Sequence, residues 1–168
     1  MGGSGFDALL FEQTSDGLKS RIGWAAYVLA GAKAIRRVER VRVTLEVDGR
    51  AEVVSAIGVV VGNVGTLTGG MVLFPNARPD DGVLDVAVLT PRLLWDWAGL
   101  AINLLAGRRP QPWQAQLRTG TDVVVRWPKD VPVELDGDFR DPGSELTYTV
   151  SAQALDVCVP VDPGATGR

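Results

Sequence analysis

Oxygen donors dominate the chemistry open to this chain. In Pro75-Asn76-Ala77-Arg78-Pro79-Asp80-Asp81-Gly82-Val83-Leu84-Asp85, three aspartates surround a glycine turn at the head of a strand. Hard cations such as Mg²⁺ take oxygen ligands, and a turn can add backbone carbonyls to a side-chain carboxylate. The same residues are also ordinary turn chemistry. A second segment, Val133-Glu134-Leu135-Asp136-Gly137-Asp138, places two carboxylates either side of a turn glycine. Glycine lets a backbone approach a ligand closely. A carboxylate held there could accept a hydroxyl proton, as general bases in phosphoryl transfer do. Here too a plain hairpin turn accounts for the residues.

Absences narrow the field. The chain has no histidine, which removes Ser-His-Asp and Cys-His catalysis, histidine-ligated metals and histidine pH switching. Its one cysteine, Cys158, permits neither an intrachain disulfide nor a cysteine-cluster zinc site. Cys158 stands in an alternating pattern and reads as a buried strand residue. A lone cysteine fits a reducing cytoplasm. The net charge of −3 gives no global field for nucleic acid. Binding to an anionic membrane would therefore need a local basic patch. No apolar run reaches the roughly 18 residues of a membrane-spanning helix, and no signal peptide is visible.

These segments need elements to position them. Phe6–Phe11 reads as a short strand. Leu18, Ile22, Ala25, Ala26 and Leu29 then recur at helical spacing. Val41, Val43, Leu45 and Val47 alternate with polar residues, and Asp48-Gly49 is a strong hairpin signal. The return strand, 51–62, becomes nearly all apolar and reads as central. Residues 63–82 hold many glycines and prolines and read as a functional loop. A strand follows over 83–89. A second helix over 92–106 gathers Leu93, Leu94, Trp97, Leu100, Leu104 and Leu105 on one face, with Trp95 and Ile102 opposite. Short strands are expected at 114–119, 121–127, 132–135, 146–151 and 154–159. Turns are expected at Asp136-Gly137 and Pro142-Gly143. Many short strands with regular turns predict a β-sandwich or barrel. At 168 residues this is one domain, over 5–161. Residues 1–4 read as an expression or truncation remnant and 162–168 as a disordered tail.

Taken together and in order, the segments resemble the C-terminal domain of the diacylglycerol kinase and sphingosine kinase-like lipid kinases, above all their soluble bacterial branch. The resemblance rests on Gly5-Phe6-Asp7-Ala8, Lys19 with Gly23-Trp24-Ala25-Ala26-Tyr27, and Gly62-Asn63 followed by Gly69-Gly70-Met71. It continues through Pro75-Asn76-Ala77, Asp81-Gly82-Val83-Leu84-Asp85-Val86, Asp136-Gly137-Asp138, and Ala154-Leu155 leading to Pro160. No single motif is specific, but their order is, and it covers roughly residues 5–160.

The resemblance implies a mainly β fold. This is an antiparallel β-sandwich with two inserted helices, the C-terminal lobe of the NAD kinase/diacylglycerol kinase-like fold. It implies transfer of the γ-phosphoryl group of ATP, with Mg²⁺, to a lipid hydroxyl such as that of diacylglycerol. Asp138 takes the place of the family's proton-accepting Glu, with an arm one methylene shorter. Asp7, Asn63, Asp136 and Gly137 fall near the cleft. The Mg²⁺ site falls on the Asp81 side chain and the carbonyls of Arg78 and Val83. The implied partners are a lipid, an N-terminal nucleotide-binding lobe of the same protein, the inner membrane surface as a peripheral contact, and a homodimer mate. Trp95 and Ile102, with Arg108 and Arg109 beyond them, are the candidates for membrane contact. The family's Gly-Gly-Asp-Gly-Thr nucleotide loop is absent from these 168 residues. The chain alone is therefore expected not to turn over ATP. Two alternatives stand beside this reading: a stand-alone β-sandwich binding a lipid or partner without catalysis, and a related kinase with a soluble acceptor.

Overall fold

The computed structural model describes residues 1–5, 40–67, 70–156 and 158. The strand expected over 6–11, the helix around 18–29, Asp7 and the tail at 162–168 lie outside the described residues. The described residues form a single antiparallel sheet of eight strands and one helix.

Local chemistry explains the first hairpin. β2 (Val41–Val47) and β3 (Arg50–Ala56) are joined by Asp48 and Gly49, both at positive φ (50° and 76°). Two left-handed residues match the right-handed twist of the flanking strands. The strand expected over 51–62 divides at Ile57. β3 is an edge strand with mostly exposed side chains, whereas β4 (Gly58–Gly62) is buried along its whole length. Ile57 makes the switch, since its N–H already donates to the Leu89 carbonyl of the next strand at 3.0 Å. The central position expected for 51–62 thus belongs to β4 alone. β5 (Leu84–Leu89) pairs with β4, and β6 (Ala115–Gly120) with β5.

Two long strands replace several short ones. β7 (Asp122–Leu135) is continuous through the gap expected after residue 127, with register shifts between Arg126 and Val133. β8 (Asp138–Thr149) runs straight through Pro142-Gly143, where a turn was expected. A proline is tolerated there because β8 pairs only with β7 and its outer edge needs no donor. The strand expected over 154–159 is not formed at residues 154–156 or 158. With no ladder partner Cys158 is exposed, not buried.

The largest departure is at the start of the chain. Residues read as a remnant form β1 (Gly2–Gly5), which lies between β7 and β4 and pairs with both. The glycines are needed here. A Cβ on Gly2 would sit 2.5 Å from Cε1 of Tyr148. Ser4, buried, receives the indole N–H of Trp127 on its Oγ at 3.2 Å and donates to the Val59 carbonyl at 3.3 Å. A buried indole N–H without a partner would cost about 1–3 kcal/mol.

The strand order is β3-β2-β7-β1-β4-β5-β6, with β8 on β7. The sheet curls until its two ends meet. There Arg118 of β6 binds Glu52 of β3 at 2.9 and 3.4 Å. Asp48 accepts the Thr121 N–H, the Thr121 hydroxyl and the Asp122 N–H at 2.8–3.0 Å. These donors hold its carboxyl below the usual range.

Alternation sets two cores. Val43, Leu45, Val59, Val61, Val86, Val88, Val123, Val125 and Trp127 fill the inside of the curl. Val60 and Ala87 face the other way and are covered by Leu73, Phe74, Leu100 and Leu104. β4 and β5 are therefore buried on both faces, which is why their sequence reads as a continuous apolar run. The outer cover comes from the 63–82 loop and from helix α1 (Leu94–Leu105). Asp96 starts the helix by accepting the N–H groups of Arg92 and Leu93 at 2.8 and 2.9 Å. Leu100 and Leu104 pack inward as expected. Leu93 and Leu105, assigned to the same face, are 63% and 50% exposed, because they lie at the two ends of the helix.

Candidate functional site

The β7–β8 turn carries Asp136 and Gly137 at φ 53° and 93°. It is a tight two-residue turn, with Leu135 directly opposite Asp138. Gly137 supplies the second left-handed position at no steric cost. Its N–H donates to the carboxylate of Glu134, and the Asp136 N–H donates to the Met1 carbonyl at 2.8 Å. These bonds fix the turn from below. Asp138 stands on the next residue with its side chain 79% exposed, and among the described residues its ion-pair partner is Arg140 at 3.9 Å. A carboxylate held on a rigid hairpin and open to one side can accept a proton from a bound hydroxyl.

Strand register decides what lies beside this turn. Leu135 pairs with Gly2, Gly2 with Val61, and Val61 with Val86. One residue further along each strand come Asp136, Met1, Gly62 and Asp85, so these four share one end of the sheet. Asn63, half-buried, follows Gly62 directly. At about 4.8 Å per strand, Asn63 lies about 10 Å from the turn and Asp85 about 14 Å. The structure thus gathers Asp136, Gly137, Asp138 and Asn63 around one edge. It places the Asp81 segment at the far side of that edge, not against Asp138. Asp7 lies outside the described residues.

The Asp81 segment is a compact turn. The Asp81 carboxylate accepts the Val83 N–H at 3.1 Å, and the Arg78 carbonyl accepts the Asp81 N–H at 3.4 Å. Arg78 pairs with Asp80 at 3.3 Å and leaves Asp81 free of it. Burial pushes the Asp85 carboxyl above the usual range, and the charge of Asp81 adds to this. Among the described residues no three acidic, histidine or cysteine side chains converge to hold a metal. A cation here would rest on one carboxylate and the backbone carbonyls of Arg78 and Val83. That all-oxygen set fits Mg²⁺, and the mutual repulsion of Asp81 and Asp85 favours a cation.

Sequence reasoning missed Glu134. It is 5% exposed, lies opposite Gly3 of β1, and fixes the turn through Gly137. Its signal is the order Glu-Leu before the turn, where the hydrophobic residue is the exposed one. Burial pushes the Tyr148 phenol up to about 12, and the charge of Glu134 adds to this. The neutral phenol is favoured in the folded state, so its stabilisation is complete below the ordinary value of 10.0 and is lost as pH rises through about 12. Phenolate absorbance of Tyr148 should therefore develop only near the upper value, with stability falling over the same interval. Glu134→Gln should shift that titration downward. An unshifted Tyr148 titration in the variant would separate the two groups.

From residue 2 to residue 159 the sequence matches the family described as the YegS C-terminal NAD kinase beta sandwich-like domain. A Pseudomonas aeruginosa (strain UCBPP-PA14) protein named "Probable lipid kinase YegS-like" is 32% identical over 170 residues, covering 95% of this chain and 52% of its own length. A Pseudomonas fluorescens (strain Pf-5) protein of the same name is 29% identical over 177 residues, covering 99% of this chain and 55% of its own length. The chain spans about half the length of the curated relatives it matches. Among solved structures, a diacylglycerol kinase from Bacillus anthracis str. Sterne superposes with a TM-score of 0.60 at 20% identity, covering 89% of this chain and 48% of that one. That likeness shows the fold. The family match takes in every strand of the curled sheet, and the chain belongs to the YegS C-terminal NAD kinase beta sandwich-like domain family.

Proposed function

We propose that this chain is the acceptor-side lobe of an ATP- and Mg²⁺-dependent lipid kinase. The observation that carries the reading is the shared sheet end, where Asp138 stands exposed beside Asp136 and Gly137, with Asn63 two strands away. Its relatives' names, as lipid kinases, support it.

In this reading a lipid hydroxyl, diacylglycerol-like, lies against Asp138. Its oxygen bonds to the γ-phosphorus of ATP as the bond to the bridging oxygen breaks and ADP leaves. Asp138 takes the hydroxyl proton. Asp136, Gly137 and Asn63 border the cleft. Asp81, with the carbonyls of Arg78 and Val83, would hold Mg²⁺. Nucleotide is bound mainly by a second lobe bearing the phosphate-cradling loop. Charge stabilisation at the transferring phosphoryl group is the largest catalytic contribution.

The test is transfer of labelled phosphate from ATP, with Mg²⁺, to a panel of lipids. The 168-residue chain is compared with the same chain extended upstream in its reading frame. Labelling is expected only with the extended protein. A labelled lipid from the chain alone would overturn the need for a second lobe. An extended protein that binds ATP but labels no lipid would turn the reading to a soluble acceptor or a binding module.

A further inference from the structure

Glu134 is a buried carboxylate that joins no distant parts of the sheet. Among the described residues the buried polar side chains are those of Ser4, Thr90, Gln114 and Glu134, and of these only Glu134 ionises. The other three link segments far apart in the chain. Ser4 accepts from Trp127, Thr90 donates to the Trp113 carbonyl, and Gln114 accepts from Asn103 of α1. Glu134 instead reaches three residues along its own hairpin, to the Gly137 N–H. Among the described residues it forms no ion pair. Burying a carboxylate on so few partners opposes folding. Departures of this kind from the rules of stability gather at functional sites.

A second turn of the same kind serves as a comparison within the chain. Asp48-Gly49 also joins two strands with both residues left-handed, at φ 50° and 76° against 53° and 93° for Asp136-Gly137. There the aspartate's own carboxylate turns onto the N–H groups of Thr121 and Asp122. Among the described residues no side chain accepts the Gly49 N–H. A turn of this type therefore closes without a carboxylate beneath its glycine. At Asp136-Gly137 the anchoring is moved to Glu134, and the side chains of Asp136 and Asp138 are left exposed.

Such a hold matters most for the residue that follows. Glycine is the least restrained of residues, and the Gly137 N–H belongs to the peptide at the centre of the turn. Fixing that N–H fixes the direction in which the backbone enters Asp138. An aspartate's short arm has little reach with which to correct a displaced backbone. A misplacement of about 1 Å can cost about a hundredfold in rate. β1 completes the hold from the other side, since Gly3 lies directly opposite Glu134 and the Met1 carbonyl accepts the Asp136 N–H.

We infer that Glu134 is a positioning residue, whose buried carboxylate clamps the Gly137 N–H and so holds the turn in the conformation that aims Asp138 at an acceptor hydroxyl. The purpose of the clamp rests on the acceptor reading, whereas the clamp itself does not. What Glu134 supplies is an acceptor oxygen, not a charge.

The test has two arms. In the 168-residue chain, amide hydrogen exchange is followed by NMR for the unchanged protein, Glu134→Gln and Glu134→Met. The Gly137 amide should exchange slowly in the first two and about ten- to a hundredfold faster in Glu134→Met. The amides of Val123 and Val125 in the core of β7 should stay as slow as before, which guards against misfolding. Fast Gly137 exchange in the unchanged chain, or unchanged exchange in Glu134→Met, would overturn the clamp whatever the activity. In the upstream-extended protein, Glu134→Met should lower kcat for lipid about tenfold to a hundredfold with KM for ATP unchanged. Glu134→Gln, which keeps the acceptor oxygen, should recover most of that loss. Added to Asp138→Asn, Glu134→Met should cost nothing further, because it acts only through Asp138. An equal loss in that background would show that Glu134 serves the fold at large and overturn the positioning role. Lipid labelling that survives Asp138→Asn would sink the acceptor reading, and with it the purpose of the clamp, while slow Gly137 exchange would still mark the clamp itself as real.

Discussion

Asp138→Asn should lower lipid phosphorylation by the extended protein about 10²- to 10⁴-fold, the usual contribution of a positioned general base. The substitution keeps the shape of the side chain and removes its ability to take a proton. Folding should be unaffected, because the carboxylate is 79% exposed and its ion-pair partner among the described residues, Arg140, is 3.9 Å away, beyond a hydrogen bond. The loss should fall on kcat, with KM for the lipid little changed, since a proton acceptor acts in the transition state. Asp138→Glu should retain activity, because it lengthens the arm while keeping the carboxylate. Loss of activity in both variants, or in neither, would show that Asp138 is not the base.

Phe74→Ala should destabilise the fold by about 3–5 kcal/mol, the range for a fully buried aromatic truncated to alanine. Total stability for a domain is about 5–15 kcal/mol, so this is a large share. Phe74 is 2% exposed and packs, with Leu73, over the outer face of β4 and β5. Its backbone is tied to the same place. The N–H groups of Leu73 and Phe74 both donate to the Gly65 carbonyl, at 2.9 and 3.1 Å. This one side chain anchors the loop that begins at Asn63 and ends at the Asp81 turn. The variant should therefore also expose residues 63–82 to protease before global unfolding. A urea midpoint close to that of the unchanged protein would show that the loop is held by other contacts. Val53→Ala, at an exposed site on β3, should stay within about 0.5 kcal/mol.

Local chemistry was legible wherever neighbours in sequence are also neighbours in space. Asp48-Gly49 and Asp136-Gly137 both form two-residue turns with positive φ, as their residue types require. Leu100 and Leu104 face inward on α1, one helical turn apart. The apolar run through Val59, Val60 and Val61 marked a strand buried on both faces. In each case the determining interactions span only a few residues.

What the pattern could not show depends on pairing between distant segments. β1 consists of Gly2, Gly3, Ser4 and Gly5, which carry no hydrophobic signal. It is a strand because β4 and β7 satisfy its backbone on both sides and because Tyr148 and Trp127 need the room that its small residues leave. Pro142-Gly143 looked like a turn, yet the partner strand β7 holds it extended. Cys158 alternated like a strand residue, but among the described residues it pairs with no strand and is exposed. Composition and motif order thus determined the family, the antiparallel class and the acidic residues able to do chemistry. Only the tertiary structure decided that Asp136, Asn63 and Asp85 share one end of the sheet and that Glu134 is buried beneath the turn. The reason is physical: register between strands is set by long-range backbone pairing and packing, and no residue's own chemistry encodes the partner it will find.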